Sequence, residues 1–303
     1  MEGPAPLAPC GAPEGGRALW LRAADGVRIR LAHWPGAAPV LILPGRTEYI
    51  EKYGLVIRDL AAAGRGALVV DWRGQGLADR ALADPLKGDV ADFSGFQHDL
   101  DAVLAAAADL APGPLPWIAH SMGGCIALRA LMRGLTPPGV VFSAPMLGLA
   151  QPAALTALMS ALAALAHPFG LDRGYAPTTG PDFGLPSMAF ETGNLTTDRD
   201  QFDRMKAQIR TDPRLSLGGP TLRWMAAAMS EMRALAALPS PTVPALFGLG
   251  GDEAIVSARA IRDRVARWPG AELVDYPGAK HELLMERPSV RDDFLLRALT
   301  LLA

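Results

Sequence analysis

A serine set among small residues at the end of an apolar run is the place where this sequence could do chemistry. In Trp117-Ile118-Ala119-His120-Ser121-Met122-Gly123-Gly124 the first residues read as a strand and those from 122 to 132 as a helix. Ser121 then stands at a sharp strand-to-helix turn that would expose its hydroxyl at the edge of a sheet. Such a turn needs small flanking residues. Gly123 meets that need, and Ala119 replaces the usual first glycine at the cost of one methyl. The helix start would favour developing negative charge.

A hydroxyl needs a general base to act as a nucleophile. The chain has five histidines. His33 falls in an early hairpin and His98 on the helix before the serine's strand. His120 adjoins Ser121, where successive side chains diverge, and His167 lies in a long helical section. His281 follows a strand at 272–276, in Pro277-Gly278-Ala279-Lys280-His281. In open α/β sheets catalytic groups gather past the carboxyl ends of strands, and the chain order serine, acid, histidine requires a late histidine. The base in turn needs an orienting carboxylate. The preceding strand ends in Gly248-Leu249-Gly250-Gly251-Asp252-Glu253-Ala254-Ile255-Val256, where Asp252 and Glu253 stand side by side. No acid follows the strand at 140–142, so one of these two must serve. An oxyanion needs two N–H donors. One is expected from Met122. The other is expected from Arg46, in Pro44-Gly45-Arg46-Thr47-Glu48, where Gly45 allows close approach of the backbone.

The elements that would position these groups alternate along the chain. Residues 17–23 and 27–33 alternate polar and apolar around Asp25-Gly26 and predict a hairpin. Short apolar runs at 39–43, 67–71, 115–119, 140–142, 243–248 and 272–276 predict buried strands. Helices are expected at 50–63, 93–110, 122–132, 257–268 and 289–302. This order implies right-handed crossovers and a mostly parallel sheet covered by helices on both faces. From 147 to 238 the alternation stops, and only helical and loop signals remain, at 153–167, 199–211 and 221–238. The expected organisation is a loose Pro- and Gly-rich arm at 1–16, a core at 17–146 and 239–303, and a helical cap inserted at 147–238.

Composition narrows the function further. The 303 residues are 50% hydrophobic and 20% charged, so the chain buries a sizeable core. Twenty-nine basic against 31 acidic residues gives a net charge of −2, without the basic bias that nucleic acid demands. Two cysteines, Cys10 and Cys125, make neither a disulfide framework nor a cysteine zinc site, and the first residues lack a signal peptide's charge and apolar pattern. The expected location is the cytoplasm. No charged residue lies between Arg133 and Asp172, yet prolines cut the run. The helix left at 153–167 would be about 22 Å long, short of a hydrocarbon core of about 30 Å.

The motifs together carry a resemblance. Ala119-His120-Ser121-Met122-Gly123-Gly124, Gly45-Arg46-Thr47-Glu48 with Lys52-Tyr53, Asp71-Trp72-Arg73-Gly74-Gln75-Gly76, Ser143-Ala144-Pro145-Met146 and Gly278-Ala279-Lys280-His281-Glu282 fall in the order seen in the α/β-hydrolases. They are similar to the lysophospholipase and monoacylglycerol lipase branch, over about residues 17–302. Pro44 stands where many relatives have histidine, as in bacterial lysophospholipase-like members. The family's acid precedes a Val-Val-like pair by two residues, so Ile255-Val256 points to Glu253, although relatives usually have aspartate there. The resemblance implies acyl transfer through an acyl-enzyme, with Ser121, His281 and Glu253 (or Asp252) as the triad, Arg46 and Met122 as oxyanion donors, and neither metal nor organic cofactor. The helix through Phe96 and Asp99 and the turn from Asp71 to Gly76 read as scaffold.

The cap would then choose the substrate. Leu149, Leu155, Leu158, Met159, Leu162 and Leu165 make its first helix apolar on nearly all faces, so it must bury both sides or meet lipid. Leu155, Met159 and Leu162, with Met225 and Met229 on the returning helix, are candidates for an acyl-binding wall. The favoured substrate is a monoacyl lipid ester, with transient contact at a membrane surface. A hydrolase of small esters, amides or peptides is the alternative, as is a member that binds without turnover. An aminopeptidase would need cap carboxylates such as Asp182, Glu191 or Glu231 to hold an amine. Haloalkane or epoxide chemistry needs a carboxylate nucleophile, which serine excludes.

Overall fold

The chain begins with a short edge strand, β1 (Gly3–Ala5), hydrogen-bonded antiparallel to β2 (Arg17–Arg22), which forms a hairpin with β3 (Arg28–Trp34). The structure, a computed structural model, describes residues 2–303 apart from the side chain of Ala153; Met1, part of the expected arm, lies outside them. The rest of that arm is not loose. Ala8 is buried and donates its N–H to Glu51 Oε1 (2.7 Å), Arg30 Nη1 reaches Pro6 O (2.8 Å), and Trp34 Nε1 reaches Pro13 O (3.0 Å). A Pro- and Gly-rich stretch reads as coil, but its few free backbone groups are taken up by an open sheet edge and by side chains distant in sequence.

β4 (Ala37–Leu43) begins the parallel part of the sheet. A single 3₁₀ turn (Ile50–Tyr53) precedes α1 (Gly54–Ala62), where one helix over 50–63 was expected. Then follow β5 (Arg65–Asp71), α2 (Ser94–Leu110), β6 (Trp117–His120), α3 (Met122–Met132) and β7 (Val140–Ser143). Between β7 and β8 the chain makes α4 (Ala153–Ala166), α5 (Arg199–Thr211) and α6 (Leu222–Ala237). β8 (Ala245–Gly250), α7 (Ala258–Val265), β9 (Ala271–Tyr276) and α8 (Pro288–Leu301) close the fold. The strand order is β1-β2-β3-β5-β4-β6-β7-β8-β9. Antiparallel pairing runs from β1 to β5 and parallel pairing from β5 to β9.

The sheet is buried on both faces, which is why its strands read as continuous apolar runs. β4 shows the division by period two: Leu41 and Leu43 join one core with Trp72, Phe96 and Phe142, while Val40 and Ile42 join the other with Ile57, Leu60 and Phe294. Asp71 is structural, as expected. Its carboxylate pairs with the buried Arg30 and accepts N–H groups from Ile50 and Leu77. The helices between β7 and β8 are anchored at their starts: Asp198 caps α5, and Thr221 caps α6. α4 packs on α6. Among the described residues no helix is long and apolar enough to cross a membrane.

Candidate active site

Ser121 sits at φ 50°, ψ −117°, a conformation that L residues adopt only under constraint. The constraint is visible on both sides. Its N–H donates to Ser143 O (3.0 Å), and its carbonyl accepts from Gly124 N (2.9 Å) and Met146 N (2.8 Å). A Cβ at Gly123 would fall 2.0 Å from Leu43 O, so only glycine allows α3 to start there. A Cβ at Gly45 would lie 3.0 Å from Ser121 Cβ, which measures how closely the loop after β4 approaches the serine. Ala119, at the position expected to be glycine, is fully buried in β6. Neither the Arg46 nor the Met122 backbone N–H donates to a described acceptor; Met122 follows Ser121 in the chain, and Arg46 follows Gly45.

His281 and Glu253 arrive from the ends of β9 and β8. Glu253 Oε2 lies 2.7 Å from His281 Nδ1, while its Oε1 accepts the N–H groups of Ile255 (2.7 Å) and Val256 (3.0 Å). Burial by itself would raise the Glu253 carboxyl; the His281 ring and the two N–H groups outweigh it and hold the pKa below the ordinary carboxylate value. A carboxylate on Nδ1 leaves Nε2 as the nitrogen open to a hydroxyl proton. Asp252 is exposed, and its N–H donates to Ala279 O (2.9 Å). Of the two candidate acids, the fold brings Glu253 to the imidazole and leaves Asp252 at the surface.

A layer of buried charge lies beneath these groups, and sequence reasoning did not assign it. Lys52 Nζ binds Glu48, in the loop after β4, and Glu282 (2.7 Å), the neighbour of His281. Glu48 also accepts the Gly45 N–H and the Tyr53 hydroxyl (2.7 Å). One ammonium thus ties the loop that carries Arg46 to the loop that carries His281. Burial opposes the Glu48 charge, but Lys52 and its hydrogen bonds prevail and pull its pKa down to about 2. The His120 ring, set aside above as diverging from Ser121, is buried and packs 4.7 Å from the His281 ring, with Nδ1 on Ser143 O (3.0 Å). Burial pushes its pKa down to about 4, so it is neutral near pH 7. Ligand atoms of Glu48, His120 and Glu282 lie within 4.8 Å of one another, the reach of a metal site, but Lys52 already supplies the cation there. Two signals for this layer stood in the sequence: the i,i+4 spacing of Glu48 and Lys52, and Glu282 beside His281.

The candidate acyl-binding residues separate. Met159, Met225 and Met229 are buried together in a core that extends to α4 and α6. Leu155 and Leu162 face outward and do not join them. The segment before α5 touches the histidine loop: Glu282 N donates to Leu195 O (2.8 Å), and the buried Glu286 accepts from Thr197 N and Lys280 N (both 2.9 Å).

Comparison with known proteins gives the family. Residues 35–288 match the family described as "Serine aminopeptidase, S33". The chain belongs to this family of α/β-hydrolases. It is 34% identical over 284 residues to lysophospholipase L2 of Escherichia coli K12, covering 88% of this chain and 79% of that protein. It is 26% identical over 259 residues to a probable lysophospholipase L2 of Haemophilus influenzae, covering 84% of this chain and 80% of that protein. Its fold is similar to that of a soluble variant of Saccharomyces cerevisiae monoglyceride lipase, with TM-score 0.71 at 20% identity, covering 94% of this chain and 95% of the other. It is similar also to Paleococcus ferrophilus monoacylglycerol lipase, with TM-score 0.70 at 17% identity over 90% and 98% of the two chains. For a member of this family, the mostly parallel sheet with helices on both faces is the expected frame.

Proposed function

We propose that this protein is a serine hydrolase that cleaves carboxylic esters of monoacyl lipids through an acyl-enzyme. The observation that carries the reading is the 2.7 Å Glu253–His281 contact at the strand ends, with the His281 ring 4.7 Å from that of His120, the residue that precedes a serine held at positive φ. His281 Nε2 takes the Ser121 proton as the hydroxyl attacks the ester carbonyl. The Arg46 and Met122 N–H groups hold the oxyanion, and Glu253 steadies the imidazolium. His281 returns the proton to the leaving alcohol. Water, activated by the same imidazole, then releases the fatty acid. The lysophospholipase names of the bacterial relatives support the lipid class. An aminopeptidase reading finds little support in the cap acids. Glu231 is held by Arg129 (2.6 and 2.8 Å), Glu191 pairs with Arg199, and Asp182 is exposed.

The finer reading is contact with a lipid surface. Leu155, Leu158, Leu162 and Leu165, spaced along one face of α4, are exposed, as are Phe169, Leu171 and Phe183 beyond it, and an exposed apolar helix face of this kind favours lipid. The test is fatty-acid release from a lysophospholipid and from a monoacylglycerol, by wild type and Ser121→Ala. Release is expected to fall about 10⁶-fold in kcat in the variant. A variant within tenfold of wild type, or no release from either lipid, rejects the proposal.

A further inference from the structure

Most buried charges near Ser121 are paired with an opposite charge. Lys52 sits between Glu48 and Glu282, Arg30 between Glu51 and Asp71, and Arg73 and Arg223 face Asp99 and Asp89. Arg46 is different. Among the described residues no carboxylate pairs with it; Nη2 donates to Gly218 O (2.8 Å), and Nε is buried with no acceptor at all. Arg80 and Arg264 also lack carboxylates, but each spends its donors on two or more backbone carbonyls. Burial pushes the Arg46 pKa down to about 10, which still leaves the guanidinium charged at neutral pH. A desolvated cation without a counter-charge is costly, and a bound anion would offset that cost.

The location says which anion. The guanidinium lies over the Trp224 ring (5.1 Å), at the seam between the loop after β4 and the start of α6. A Cβ at Gly88 would fall 2.2 Å from Nη2, so a glycine there makes the room the side chain occupies. Although Nε is buried, Arg46 as a whole residue is partly exposed. Its own backbone N–H is the proposed oxyanion donor, and the guanidinium is one side-chain length from that N–H. In a lysophospholipid the glycerol unit separates the phosphate from the acyl carbon by a comparable number of bonds. Guanidinium matches phosphate oxygens in charge and donor geometry.

We propose that the Arg46 side chain forms an anion subsite that binds the phosphodiester of a lysophospholipid head group and directs the site toward phospholipid over neutral monoacyl lipids. The inference rests on the ester-hydrolase reading above. The experiment measures kcat/KM for a lysophosphatidylethanolamine and a monoacylglycerol of the same acyl chain, in wild type, Arg46→Gln and Arg46→Lys. The readout is the ratio of the two values, which cancels any general loss from disturbing the loop. Arg46→Gln is expected to lower the phospholipid-to-glyceride ratio about 10–100-fold, chiefly through KM, as loss of a charge-assisted hydrogen bond does; Arg46→Lys is expected to restore part of it. An unchanged ratio overturns the proposal and leaves Arg46 as a staple between core and cap. Should Arg46→Gln fail to fold, wild-type cleavage of a soluble short-chain ester is measured with glycerol 3-phosphate or glycerol present. Competitive inhibition by the phosphate compound alone supports the subsite, and equal or absent inhibition overturns it. Absence of turnover on both lipids by wild type rejects the ester-hydrolase reading and this one with it, whereas turnover with an unchanged ratio rejects only this one.

Discussion

The strand ends around Ser121 and α4, the first helix between β7 and β8, treat their side chains in opposite ways. At the strand ends, Ser121 and His281 are nearly sealed, as is the Glu253 side chain, and the charges beneath them are matched by Lys52 or by N–H donors. On α4, Leu158 is 55% and Leu165 71% exposed, and no charged residue lies between Arg133 and Asp172. Close packing and paired charge hold reacting groups to one geometry. An uncharged leucine face holds nothing in place but favours any apolar surface it meets. The contrast separates where an ester would be cleaved from where its acyl chain would be gathered.

The sharpest way to break the comparison is at the acid. Glu253→Gln removes the charge that fixes the His281 tautomer and is expected to cut kcat about 10⁴-fold, the scale known for the equivalent change in other triads. Asp252→Asn, at the surface, is expected to stay within about threefold. Steady-state kinetics on a soluble ester reads both, and the reverse pattern would move the acid to Asp252. On α4, Leu158→Ser with Leu165→Ser is expected to lower turnover of vesicle-borne lysolipid roughly tenfold, from lost apolar contact, with little change on a soluble short ester. Equal loss on both substrates would make α4 part of the rigid site after all.

The smallest effect is in stability against pH. His120 faces Glu48, Lys52 and His281, with Glu282 on the far side of the lysine. Its folded pKa is depressed from 6.5 to about 4. Between those values the unfolded chain binds a proton that the native one refuses. This group's share of the stability is therefore full above about pH 6.5 and is lost as pH falls toward 4. Thermal unfolding from pH 7.5 to 4.5 is expected to decline less steeply in His120→Asn than in wild type; parallel curves would show that the ring gains its proton without cost.

Ser121 and His281, the proposed nucleophile and base, are legible in the sequence because the signals that point to them are local: a serine between a strand and a helix, and a histidine past a late strand. The hairpin and the parallel strands were legible for a similar reason, since burial on both faces writes itself as uninterrupted apolar runs. The arm at 1–16 reads as coil in the sequence because its hydrogen bonds are made to β2, Arg30, Glu51 and Trp34, outside its own local sequence. His120 was set aside on a rule about neighbouring side chains, and the rule says nothing about what the His120 ring packs against.

Residue type and spacing by themselves determined the class of chemistry, the alternation of strands and helices, and the choice of acid down to two neighbours. Which acid meets the imidazole, which leucines face outward, and how Lys52 joins Glu48 to Glu282, the latter 230 residues further along the chain than the lysine, were decided only by the tertiary structure. The reason is range. A turn or a buried strand is specified by a few adjacent residues, whereas an ion pair or an exposed face exists only once distant segments are packed together.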